Sequence, residues 1–120
     1  INSIISTQPS NLMAFGVARK KVDVRTIPES WVFLQDIPTL EFCIQYTEPD
    51  EIARMFGPDR PSLLFENDGF IVTGDALLET FDRLEVAEFS ARSLVLGHSL
   101  GELAPINEAQ MKELRRQFIP

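Results

Sequence analysis

One cysteine and one histidine stand in a chain of 120 residues, and their scarcity removes several kinds of chemistry at once. Cys43 has no second cysteine for an internal disulfide. It lies in the apolar run LEFCI with no histidine near it in sequence, so it reads as a buried thiol rather than a nucleophile. His98 has nothing at metal-ligand spacing around it and falls near a helix C-terminus, which suits a capping or surface imidazole. Ser6, Ser10 and Ser30 have no neighbouring histidine and only this one to draw on, so a serine triad is not expected.

Long apolar runs are missing too. None reaches the roughly 18 residues that a membrane-spanning helix needs. The basic cluster Arg19-Lys20-Lys21 follows the first apolar stretch instead of preceding it, the reverse of a secretory leader. A cytoplasmic protein without a membrane partner is therefore expected. Basic residues are in the minority, 11 against 18 acidic, for a formal charge of −7, and that balance disfavours a nucleic-acid backbone as partner. No glycine-rich loop follows a strand, which argues against a nucleotide fold.

What remains is a 44% hydrophobic chain without repeats or low-complexity tracts, long enough for one domain with a core. It opens on INSII, already strand-like and without an initiator Met, and so reads as a portion of something longer. A strand over residues 1–6 is stopped by Pro9, and Ser10 or Asn11 is placed to cap a short helix carrying Leu12, Met13, Ala14, Phe15 and Val17. Arg19-Lys20-Lys21 with Asp23 reads as a solvated turn. Residues 27–30 read as an extended link, because Pro28 biases Ile27 away from helix. An apolar cluster, Trp31 to Leu34, follows. LEFCIQY (40–46) alternates like a strand with Leu40, Phe42, Ile44 and Tyr46 on one face. Pro49 opens a helix with Ile52, Ala53 and Phe56 as its buried stripe, and Gly57-Pro58 closes it.

The most legible part comes next. PSLLFE and FIVT are short strands separated by Asn67-Asp68-Gly69, a hairpin signal with glycine at the left-handed position. Asp75 is placed to cap a long helix over 76–98, with Leu77, Phe81, Leu84, Ala91 and Val95 down one side, interrupted by Glu88, and with Val86, Phe89 and Leu94 widening the apolar surface. Glu79 with Arg83, and Glu88 with Arg92, are spaced as i,i+4 ion pairs. Asp82, Glu85 and Glu88 share much of one helix face, either as a solvated or subunit-facing acidic stripe or as a set that orients a cation. Asn107 caps a final amphipathic helix with Met111, Leu114 and Phe118, and Pro120 ends the chain. The whole is mixed α/β: an open sheet with antiparallel pairing.

The order of these elements resembles the C-terminal half of the class II aldolase/adducin family, the fuculose-phosphate aldolase-like sugar-phosphate aldolases. The resemblance rests on Ser6-Thr7-Gln8-Pro9 after the first strand and on Glu66-Asn67-Asp68-Gly69-Phe70-Ile71-Val72-Thr73-Gly74. It continues into the long helix with Leu78, Phe81, Asp82, Leu84, Glu85, Ala91 and Arg92. It covers nearly the whole chain, most specifically 63–96, so residues 1–120 are expected to be the C-terminal portion of such a domain. The resemblance implies a three-layer α/β/α sandwich with a largely antiparallel sheet, and a homo-oligomer, a tetramer in the family's enzymes, with a small sugar phosphate as substrate. In that family two histidines of a His-x-His-Pro stretch and a third in Asn-His-Gly hold a divalent metal, usually zinc, which stabilises an enediolate. Here Ser6, Gln8 and Asp68 stand at those places, and only Asp68 has a side chain suited to a metal. The family's acidic catalytic residue and its phosphate-binding stretches fall before residue 1. Three readings stay open: a family member without the zinc centre, a pseudoenzyme; a sugar-phosphate lyase with a rebuilt site holding zinc or a harder cation at Asp68; and an adducin-like interaction module.

Overall fold

The structure, a computed structural model, describes residues 1–119. Four strands make one sheet: β1 (Ser3–Thr7), β2 (Thr39–Leu40), β3 (Ser62–Phe65) and β4 (Gly69–Gly74), in the order β1-β4-β3-β2. β4 runs antiparallel to both neighbours, with Ile5 opposite Val72 and Leu63 opposite Ile71, while β2 adds to β3 in parallel. The expected hairpin is present, but its left-handed residue is Asn67, at φ 57°, rather than Gly69. Asparagine tolerates that conformation. Glycine at 69 instead eases a close approach: a Cβ there would lie a tight 3.1 Å from the Thr7 carbonyl oxygen, where β1 runs beside β4.

Six helices surround the sheet: α1 (Ser10–Ala18), α2 (Pro28–Leu34), α3 (Ile44–Thr47), α4 (Pro49–Met55), α5 (Leu77–His98) and α6 (Glu108–Phe118). β3 shows why the packing has three layers. Side chains alternate across a strand, so Leu64 enters one core with Leu12, Phe70, Val72, Ala87, Ala91 and Leu94, which are supplied by α1, β4 and α5. Leu63 and Phe65 point the other way, against Ile52, Ile44 and Met55 from α3 and α4. Being covered on both sides explains why all four residues of this strand are apolar or buried. The sheet therefore lies between two helical layers.

Several local expectations are corrected. The stretch 27–30 is not an extended link: Ile27 is extended (φ −138°), but Pro28 is the first residue of α2. The same proline that excludes helix before it supplies a preset φ for the first turn after it. LEFCIQY is not one strand either. Pairing to β3 ends after Leu40, Cys43 turns left-handed at φ 73°, and α3 begins at Ile44. The alternation breaks because Ile44 belongs to the second core while Phe42 and Tyr46 remain exposed. Cys43 is consequently half-buried, not a core thiol. In α4, Ile52 is buried and Phe56 packs beside it, but Ala53 faces solvent. Asp75 does not cap α5: its own N–H donates to Glu79 Oε2 (3.0 Å), and the cap residue is Ala76. Asp23 does more than lie in a solvated turn, since it caps the short 3-10 turn at Val24–Thr26 by accepting from the Arg25 N–H at 2.9 Å.

The side of α5 that is buried differs in part from the expected one, although Ala91 and Leu94 are buried and Leu84 and Val86 pack against the core as expected. Thr80, Ala87, Ser90, Ala91 and Leu94 face the core, whereas Leu77, Phe81 and Val95 are substantially exposed. Small residues line the inner side because α1 and the sheet approach it closely. The expected Glu79–Arg83 pair is present at 3.1 Å. At the far end, Asn107 forms the expected cap of α6, with a reciprocal Gln110 contact, and Met111 is buried while Phe118 is exposed. Pro120 lies outside the described residues.

Candidate functional site

Ser6 and Gln8 leave the end of β1 at alternate positions, and the β1–β4 register sets them beside the tip of the β3–β4 hairpin. Gln8 and Asp68 meet directly: the Gln8 Nε2 donates to the Asp68 carbonyl oxygen at 2.7 Å. The Asp68 carboxylate accepts from Gln45 Nε2 at 2.5 Å, which ties the tip to α3. The Asn67 N–H donates to the Gly16 carbonyl at 3.2 Å, and Arg19 Nη2 reaches the Asn67 Oδ1 at 3.2 Å. The hairpin tip is thus held from β1, α1 and α3 together. Ser6 lies on the exposed side of β1, two residues before Gln8.

Gln45 is the member of this set that sequence reading missed. It is the polar residue inside LEFCIQY, 23 positions from Asp68, and no local pattern announces that partnership. Its own carbonyl oxygen Oε1 is buried without a hydrogen-bond partner among the described residues.

The donor chemistry does not fit zinc. Ser6 offers a neutral hydroxyl, Gln8 and Gln45 offer neutral amides, and Asp68 offers one carboxylate that already accepts from Gln45. Structural and catalytic zinc sites draw three or four ligands, mainly imidazole, thiolate and carboxylate. Among the described residues no group of three or more His, Cys, Asp or Glu side chains is placed to share a metal.

The remaining candidates are scattered. His98 is exposed at the last residue of α5, beside a surface hollow lined by Phe15, Lys20 and Lys21. Asp82 and Glu85 are exposed, but Glu88 is drawn out of the acidic stripe. Its carboxylate caps α1, accepting from the backbone N–H of Asn11 (3.0 Å) and Leu12 (2.9 Å) and from Asn11 Nδ2 (2.9 Å). Neither Ser10 nor Asn11 is the cap residue of α1, which is Pro9. A carboxylate from 77 residues away supplies what a local side chain does not. The expected Glu88–Arg92 pair is consequently absent among the described ion pairs. A shallow cleft of about 380 Å³ runs between Thr7 and Pro9 on one side and Glu85, Phe89 and Arg92 on the other.

No family model matches the sequence, and no curated protein matches it, but solved structures do. An L-fuculose 1-phosphate aldolase superposes with a TM-score of 0.79 at 20% identity, over 96% of this chain and 54% of that one. An aldolase II superfamily protein from Pseudomonas syringae gives 0.75 at 13% identity, over 95% and 47%. A sugar-phosphate aldolase from Thermotoga maritima gives 0.68 at 23% identity, over 84% and 47%. The chain spans about half the length of each of these relatives. Its four-stranded mixed sheet between helical layers is the fold of the class II aldolase superfamily.

Proposed function

We propose that this protein is a class II aldolase-fold protein that works without the zinc centre of the sugar-phosphate aldolases and does not perform their metal-dependent carbon–carbon cleavage. The observation that carries this reading is the state of Asp68. It is the one anionic donor of the three positions, and it is engaged by Gln45 through its carboxylate and by Gln8 through its carbonyl. Retro-aldol cleavage leaves charge on an enediolate oxygen, which a Lewis acid stabilises in metal-dependent aldolases. Ser6, Gln8 and Gln45 supply no cationic group for that task. Gln8 and Gln45 brace the hairpin tip against the end of β1 and against α3.

Metal analysis of the purified protein after zinc loading, with cleavage assays on fuculose- and rhamnulose-phosphate-type substrates, tests the reading. The expected result is less than a tenth of an equivalent of zinc, by order of magnitude, and no cleavage. One tightly held zinc per chain that is lost in Asp68→Ala would overturn it, and so would a harder divalent cation at Asp68 that supports cleavage. An interaction role of the adducin type is the second reading. It is favoured by the exposed apolar residues Leu78, Phe89 and Leu96 on α5, and a stable complex lost on changing that face would support it.

A further inference from the structure

Between the C-terminal parts of α1 and α5 lies a hollow of about 520 Å³. Its apolar lining comes from Ala14, Phe15 and Ala18 on α1 and from Val95 on α5, and its polar lining from Lys20, Lys21 and His98. Every polar side chain on this lining is thus basic, in a chain whose formal charge is −7. None of these residues belongs to the set at the hairpin tip. Phe15 also packs against the main core, which holds this surface in place before any ligand arrives.

Basic side chains are common at helix C-termini, where they answer unpaired carbonyls. Here those carbonyls have other partners. Arg19 turns left-handed at φ 56° after α1, and its N–H and that of Lys20 both donate to the Phe15 carbonyl. At the end of α5, the Leu96 carbonyl accepts from the Ser99 N–H and hydroxyl, and the Gly97 carbonyl from the Leu100 N–H. The charges are unevenly committed as well. Lys21 pairs with Asp36 at 3.1 Å, whereas Lys20 and His98 enter none of the ion pairs among the described residues. An imidazole can donate a hydrogen bond in either charge state. The hollow therefore offers one uncommitted ammonium and one further donor beside apolar surface.

We propose that this hollow binds a small monocarboxylate with an apolar body, its carboxylate at Lys20 and His98 and its body against Phe15, Val95 and the two alanines. The volume is of the size that small-molecule sites take, and an apolar lining with a few polar groups to fix orientation is their usual composition. Inorganic phosphate has no body for the apolar lining, and as a dianion it exceeds the one free charge. A neutral apolar molecule makes no use of Lys20.

The test is isothermal titration calorimetry of the purified protein with sodium phenylacetate, its neutral isostere phenylacetamide, and inorganic phosphate. Phenylacetate is expected to bind saturably with a Kd of about 1 mM or below. Phenylacetamide and phosphate should each bind at least about tenfold more weakly, the first lacking the charge and the second the apolar body. Lys20→Gln should weaken phenylacetate binding at least about tenfold, and Val95→Phe should weaken it comparably by filling the hollow. Should Val95→Phe fail to fold by circular dichroism, Ala18→Phe fills the hollow from α1. No saturable binding by the parent protein overturns the proposal, and is the result expected if another segment or a partner protein covers the hollow. Phenylacetamide binding as tightly as phenylacetate overturns it too, as does unchanged affinity in either variant, which places the ligand elsewhere.

Discussion

The two long sides of α5 carry similar numbers of apolar residues yet have opposite consequences. The inner side, with Thr80, Ala87, Ser90, Ala91 and Leu94, is made of small or medium side chains packed against α1 and the sheet. The outer side, with Leu78, Phe89 and Leu96, holds larger groups that the described chain leaves exposed. Size and burial are therefore inverted, and apolarity alone does not say which side faces the core. Close approach selects small residues: a Cβ on Gly74 would lie 2.5 Å from the Thr80 Oγ1, where β4 passes the start of the helix.

The largest effect that would sharpen this contrast is expected at Leu94. Leu94→Ala should lower folding stability by about 2–5 kcal/mol through lost burial and a residual cavity, measured by urea unfolding. Leu78→Ala on the outer side should stay within about 0.5 kcal/mol at concentrations where the chain is monomeric. Equal costs at the two positions would erase the distinction between the sides. Next comes the polar part of the inner contact. Glu88→Ala should cost about 1–3 kcal/mol, because it strands two backbone donors at the start of α1, whereas Glu85→Ala should be near neutral. Gly74→Ala should follow at about 1–3 kcal/mol, and it should be relieved in part by Thr80→Ala, which removes the oxygen in the way.

The smallest effect concerns pH, away from α5. The Arg25 side chain hydrogen-bonds Asp23 and holds its carboxyl below the ordinary value, against the opposing effect of partial burial. Its folded-state pKa is depressed, so its contribution to stability is present above the unfolded pKa and fades as pH falls through the folded one. Asp23→Asn should therefore narrow the stability difference between neutral and strongly acidic pH. Because the pair is partly exposed and screened by solvent, the change should be slight. An identical acid profile in the variant would remove Asp23 from the account.

Legibility in the sequence followed the range of the forces involved. The hairpin around Asn67-Asp68-Gly69, the start of α4 at Pro49, the length of α5 and the Asn107 cap were all readable, because turn chemistry, proline geometry and capping act within a few residues. The same locality misplaced the left-handed residue by two positions: Asn67 takes the positive φ, while Gly69 lies close to Thr7 without it. LEFCIQY failed as a strand because continued pairing requires a neighbour, and β3 accompanies it only through Leu40. At the candidate site, the resemblance singled out Ser6, Gln8 and Asp68, but Gln45 entered only when α3 was seen against the hairpin.

The amino-acid order by itself determined the long helix α5, the turn between β3 and β4, and the scarcity of imidazole and thiol donors that limits zinc chemistry. Only the tertiary structure decided which side of α5 is inside, that Glu88 caps α1 instead of pairing with Arg92, and that Asp68 is held by Gln45 and Gln8. The physical reason is the same in each case. A side chain chooses among partners by distance in space, and the partners that won here lie 23 to 77 residues away along the chain.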